Sequence, residues 1–390
     1  MDAGSQSFPL FSWSGAETEV SVYSRACDLP PALWNATFAG HVKDRRYYEV
    51  VEETIPEGFA YRYALVQGTG EGTAAVVPFF LVDQDILAGT PNVLRRPADS
   101  LRRLFPRFLK MRILMVGCAA GEGQLDEARP WMIEALAGAL AAYAREARAS
   151  MILFKDFPSP YRAALAPLRR HGYHRAPSMP GASLDLDFAT FDEYVQDRLS
   201  KVYRKGLRRK FRESERCGAL TMEVVSDASD LADELHALYL QTYERSPLQF
   251  ERLTPAYFRE IGRRMPDRAR FFLWRLEGRL VAFSLCLLHD GVLHDLNVGM
   301  DYPVALDLHL YFVTWRDIIG WALENGVRRY YTGPLNYDPK LHLRLRLAPL
   351  DLHARHCSPL INPFFGVALR YLQPARHDPV IARFPNAAEL

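Results

Sequence analysis

Residues 292–333, VLHDLNVGMDYPVALDLHLYFVTWRDIIGWALENGVRRYYTG, decide the fold. They read as a strand from Val292 to Val298, a turn-rich loop, an amphipathic helix from Leu310 to Glu324 and a second strand from Arg329 to Tyr331. Residues 111–157 follow the same order: a strand from Arg112 to Val116, a glycine-bearing turn, a helix from Trp131 to Arg148 and a strand from Met151 to Phe154. Each helix carries a tryptophan in its early turns, Trp131 and Trp315. A unit that recurs in both halves implies duplication. Its loop, between a strand end and a helix start, exposes unpaired backbone N–H groups and is a natural ligand position.

Working outward, Arg279 to Leu288 and Phe271 to Leu276 read as two more strands, joined to each other and to Val292 by the Glu277-Gly278 and Asp290-Gly291 turns. Helices are expected over Ser229 to Glu244 and, entered at Thr254-Pro255, over Thr254 to Met265. In the first half Tyr61 to Val82 alternates as a hairpin around Gly68-Thr69-Gly70-Glu71-Gly72, and residues 1–15 look like a loose polar arm. A strand from Ser183 to Asp187 is expected to close that half. Between the halves, a single helix opens at Phe191 and continues to Arg212, with nine basic against two acidic residues from 198 to 216. Leu199, Val202, Tyr203, Leu207 and Phe211 share one face of it, so the cations cover the other.

The 390 residues suffice for two domains, and 49% hydrophobic with 24% charged residues is globular composition. A net charge of +2 excludes a grossly basic nucleic-acid binder. Five scattered cysteines suggest neither a disulfide framework nor a zinc site, so no metal is expected. The start of the chain lacks a signal-peptide pattern and no apolar run is long enough to span a bilayer, so a cytoplasmic protein is expected.

Two loops and one strand carry the candidate chemistry. After the first-half strand, Gly121-Glu122-Gly123 sits where backbone amides and a helix dipole favour a pyrophosphate. The equivalent second-half loop, Gly299 to Leu310, lacks Gly-x-Gly but has a length that suits an anion-binding turn, with Leu308, His309 and Leu310 at the helix entrance. The strand before it presents His294, Asp295 and Asn297, with His294 and Asp295 on opposite faces. Beyond the last strand, Gly333, Tyr337 and Lys340 follow a Gly-Pro turn at a strand's carboxyl end.

Three antiparallel strands, a loop, a helix and a further strand resemble the GNAT acyltransferase fold. The duplication, the basic helix and Gly333…Tyr337…Lys340 resemble its FemAB-like branch, whose members carry two tandem GNAT-type domains. The resemblance implies a mixed α/β fold: an N-terminal domain over 1–189, a basic linker helix over 190–216, a catalytic domain over 217–358 closed by a strand from Leu350 to Arg355, and a Pro-rich tail over 359–390. It implies transfer of an acyl group from a thioester or an aminoacyl-tRNA to an amine. Asp295 or His294 is then the base, Tyr311 or Tyr337 the acid, and Lys340 polarises the acyl carbonyl or fixes an anionic acceptor. Asn297, Leu308, His309, Leu310, Gly333, Gly121 and Gly123 are the candidates for holding acyl-CoA, the expected co-substrate, for which acyl-carrier protein is an alternative.

Basic amphipathic stretches at 101–116 and from Phe364 to Arg376 suit an anionic membrane surface. They point to a long-chain amino lipid as acceptor, as in the bacterial ceramide synthases, and to a peripheral position at the inner membrane face. The competing expectations are a FemAB-type, aminoacyl-tRNA-dependent transferase acting on a peptidoglycan precursor, and a GNAT-like protein that binds without catalysing.

Overall fold

The computed structural model describes residues 8–38, 40–68, 74–85, 110–126, 130–246, 249–371, 373 and 378–390. The chain divides into two units, Met1–Ser178 with Pro349–His377, and Met179–Ala348 with Asp378–Leu390.

The first unit is built on an eight-stranded sheet in the order β1 (Phe11–Ser14), β2 (Thr18–Tyr23), β3 (Phe59–Gly68), β4 (Ala74–Asp85), β5 (Lys110–Val116), β6 (Met151–Pro158), β15 (Leu350–His356), β7 (His174–Pro177). β1 to β5 form an antiparallel meander, and the helix Pro130–Glu146 carries the chain over to β6, which lies parallel to β5. Phe79, Leu114, Val116, Phe154, Ile133, Leu136 and Leu140 bury the sheet against that helix. Residues 1–15 are therefore not all arm: the alternation Phe11-Ser12-Trp13-Ser14 makes an edge strand, with Phe11 packed on Tyr143. The expected hairpin forms between β3 and β4, and its turn, like residues 101–109 of the basic stretch, lies outside the described residues.

The second unit repeats the plan in a seven-stranded sheet ordered β14 (Arg346–Ala348), β8 (Gly181–Asp185), β13 (Arg329–Thr332), β12 (Val292–Met300), β11 (Arg279–His289), β10 (Ala269–Leu276), β9 (Leu220–Val225). β9 to β12 are antiparallel, and the helix Leu310–Glu324 crosses to the parallel β13. Phe272, Trp274, Cys286, Leu293, Trp315, Ile318 and Ile319 fill the core beneath it.

The strands beside the crossovers correct the boundaries expected from sequence. The strand at 181–185 does not close the first half; it pairs with β13 and β14 of the second unit. The strand at 350–356 does not close the second half; it lies between β6 and β7 of the first unit. Each sheet thus takes a strand from the stretch of sequence that follows the other unit's own crossover. The basic segment is likewise part of the second unit rather than a single linker helix. It breaks at Leu199, which is extended (φ −94°, ψ 145°), into Phe191–Arg198 and Lys201–Arg216. Ser200 causes the break: its hydroxyl accepts from Tyr203 N at 3.3 Å, capping a new helix.

Candidate active site

The crossover in the second unit opens a fork. β12 and β13 pair only from Val292 with Arg329 to Asp295 with Thr332, although β12 runs on to Met300. On its other side β12 carries a bulge: Leu285 pairs with Asn297 and Cys286 with Asp295, leaving Leu296 without a counterpart. Past Asp295, alternate backbone N–H and C=O groups of β12 therefore face the open side of the fork without a strand partner. A carbonyl laid there would find preorganised donors.

Asp295 stands at the apex. Its carboxylate accepts from Ser284 Oγ at 2.5 Å and from Tyr330 Oη at 2.6 Å. Burial lifts its pKa above the usual carboxylate range, opposed by those two hydrogen bonds and by the positive field of Lys340. Lys340 is 6% exposed and donates to Gly333 O at 2.6 Å. Burial brings its ammonium down to about 8, with Asp295 pulling the other way. Tyr311, in the first turn of Leu310–Glu324, is raised by burial, with Tyr203 and then Asp295 adding to the shift. Tyr203 stacks on His342 with ring centroids 5.2 Å apart, closing the cluster from the basic helix. A carboxylate and an ammonium, each pushed toward neutrality beside the other, is an arrangement suited to moving protons near pH 7.

The remaining candidates are placed elsewhere. His294 is turned from this cluster, with its ring 5.4 Å from that of Tyr331. Asn297 accepts from Tyr257 Oη at 3.3 Å, on the helix Pro255–Arg264, so Asp295 and Asn297 do not converge. The side chains of Leu308 and Leu310 are buried in the core, so only their backbone could meet a ligand. His309 takes a left-handed conformation (φ 48°) and its Nε2 lies 2.9 Å from Glu213 Oε2, pinning the helix entrance to the basic helix. Tyr337 is 1% exposed and gives its phenol proton to Pro180 O at 2.7 Å, which makes it a tether.

In the first unit, the Gly121-x-Gly123 turn is packed rather than open. Lys43, 4% exposed, lies 2.7 Å from where a Cβ on Gly121 would stand, and donates to Glu122 O at 2.9 Å. A Cβ on Gly123 would meet the Phe157 ring at 2.6 Å and Lys155 O at 2.8 Å. The Gly123 N–H is itself taken by Asp156 O at 3.1 Å. Among the described residues no group of His, Cys, Asp and Glu could hold a metal.

Residues 201–340 match the family model described as the acetyltransferase (GNAT) domain. That stretch is similar to a GNAT domain. The matched span begins at the basic helix and ends at Lys340, so it encloses the fork. The domain sits in a chain whose fold is also that of FemX, whose crystal structure superposes at a TM-score of 0.50 with 13% identity, covering 79% of this chain and 90% of that one. L-PGS from Bacillus licheniformis superposes at 0.45 with 16% identity over 69% and 87%. Two Mycobacterium tuberculosis proteins, from strains CDC 1551 / Oshkosh and ATCC 25618 / H37Rv, provisionally named 8-amino-7-oxononanoate synthase 2, are 24% identical over 272 residues, 66% of this chain. That alignment spans 35% of their length, about a third.

Ser284, Tyr330 and Tyr203 are the site residues that sequence reading missed. Ser284 did leave a signal, as a hydroxyl inside the apolar run Val281 to Leu288. Tyr330 and Tyr203 left none, since aromatic residues on a short strand and an amphipathic helix read as core.

Proposed function

We propose that the protein is an N-acyltransferase that moves an acyl group from a thioester to an amine at the fork of the second unit. The observation that carries this reading is the Asp295–Lys340 pair at the apex of a fork lined by unpaired strand backbone. The thioester carbonyl lies in the fork, where a β12 amide and the Lys340 ammonium draw electron density to its oxygen. The amine nitrogen attacks the carbonyl carbon and Asp295 takes the proton it sheds. The C–S bond then breaks as the oxyanion collapses, and the thiolate leaves with a proton from Tyr311. No covalent enzyme intermediate is needed.

For the donor, acyl-CoA fits best. An open groove of about 750 Å³ is lined by Lys201, Arg204, Lys205, Arg208 and Arg212 on the basic helix, a surface for phosphates. The same groove is what favours the second reading, an aminoacyl-tRNA donor, whose binding would weaken steeply with salt. An acyl-carrier protein would also find complementary charge there. For the acceptor we favour a long-chain amine such as a sphingoid base, met at the inner membrane face. The test is thiol release from a panel of acyl-CoAs with and without amines, using the full chain and Asp295→Asn. Amine-dependent thiol release abolished by that change supports the reading; release that persists in the variant, or none with any pair, refutes it.

A further inference from the structure

The helix Asn362–Tyr371 of the first unit is fastened along one side. Asn362 Nδ2 donates to Gly172 O at 2.8 Å and its Oδ1 accepts from His356 N at 2.9 Å. The Phe365 ring stands 6.4 Å from that of His356, and Gly366 lies so close to His174 that a Cβ would fall 2.4 Å from the imidazole. What remains is an outward face of large apolar side chains: Leu360 is 81% exposed, Ile361 49%, Phe364 76% and Val367 57%. The last three recur at three-residue steps and so share one stripe. Four contiguous exposed hydrophobes are far more than the scattered single ones a soluble surface carries.

The edge of this stripe is basic. The carbonyl gripped by Asn362 ends the 3-10 helix Ala166–His171, whose last turn carries Arg169, Arg170 and His171. Arg355 comes within 3.9 Å of the Cβ position of Gly172 at the same place. Arg170 is shared with the exposed Glu134 at 2.9 Å, so the rim keeps its positive excess.

We propose that this face seats on an anionic lipid bilayer, with Ile361, Phe364 and Val367 in the acyl boundary and Arg169, Arg170 and Arg355 against lipid phosphates. An apolar stripe edged by cations is the chemistry of an interfacial helix. Four side chains also fall well short of the roughly 20–30 residues a side that a stable protein interface uses, which argues against a second copy as the occupant. The inference does not rest on acyl transfer, although a membrane-seated enzyme would meet a long-chain amine where such amines reside.

The test is flotation of the full chain with vesicles of phosphatidylcholine alone or mixed with phosphatidylglycerol. The wild type floats with the mixed vesicles and less with the neutral ones. Phe364→Asp with Val367→Asp lowers flotation roughly tenfold on both, and Arg169→Ala with Arg170→Ala removes the preference for the anionic vesicles. Both variants keep the wild-type melting temperature and the wild-type rate on a short, water-soluble thioester, which separates this inference from the catalytic one. A wild type that stays behind with both vesicles overturns the proposal. So does an aspartate variant that floats as well as the wild type, including one whose sedimentation shows a dimer converted to monomer.

Discussion

The same position in the duplicated unit has met two different fates. After β5, the loop at 117–123 keeps its glycines but is filled from within by Lys43 and pressed on by Phe157. After β12, the strand carries no Gly-x-Gly, yet it parts from its neighbour and leaves Asp295, Lys340 and unpaired backbone around an opening. The glycines in the first loop serve close packing, because any Cβ at 123 would strike an aromatic ring and a backbone carbonyl. Glycines between a strand and a helix are thus ambiguous by nature: they permit a phosphate to approach, and equally a side chain. Polar residues buried at a strand's parting point are less ambiguous, since burying them unpaired is costly unless they do something.

The sharpest way to break this comparison is Asp295→Asn. Amine-dependent thiol release should fall on the order of 10²–10⁴-fold, the usual worth of a positioned general base. The melting temperature should fall little, because the Asn oxygen still accepts from one of the two hydroxyls and its amide N–H can donate to the oxygen of the other. A variant that transfers normally would show that the fork is as inert as the first loop.

Lys340→Met comes next and is read through pH. If the ammonium polarises the acyl carbonyl, wild-type kcat/KM declines as pH rises through about 8, the lowered value set chiefly by burial. The variant starts lower and has no such limb. Stability carries an independent signature. With a folded value near 8 and an ordinary value of 10.5, the unfolded chain holds the proton between those limits while the folded chain does not. The wild type should therefore gain stability as pH rises across that window, by about 3 kcal/mol at most, a gain complete only above 10.5 and gone once pH falls back below 8. In Lys340→Met that slope is absent, as chemical denaturation at several pH values would reveal.

Much of this arrangement could be read from sequence because it is local. The strand–loop–helix–strand order needs only periodicity, and Asp295 and Lys340 stand out as a charge within a strand and a lysine following a Gly-Pro turn. What escaped depends on distant pairing. Nothing near Leu350 says that its strand will lie beside Met151–Pro158, and nothing near Gly181 says that its strand will lie beside Arg329–Thr332. Tyr330 was hidden for a related reason, and the hydroxyl of Ser284 stood out without showing its role, since both act only when β11, β12 and β13 are side by side. The break at Ser200 was legible as an N-cap, but the basic periodicity running through it masked the signal.

Gly123→Ala probes the first loop. The added methyl must displace Phe157 or the backbone at Lys155, costing about 1–3 kcal/mol in urea unfolding. The kinetic constants of the folded fraction, including KM for the thioester, should not move. A raised KM with unchanged stability would return the loop to ligand binding and undo the asymmetry.

The smallest effect separates the two tyrosines that sequence left equivalent. Tyr337 spends its hydroxyl on Pro180 O, so Tyr337→Phe strands a buried carbonyl and should lower stability by about 1–3 kcal/mol while leaving turnover intact. Tyr311 lies in the field of Asp295, so Tyr311→Phe should do the reverse, slowing thiol departure with little effect on unfolding. If the two variants exchanged these phenotypes, the proton donor would belong on the far side of Lys340, and the fork would have to be entered from the helix Tyr337–His342 rather than from Leu310–Glu324.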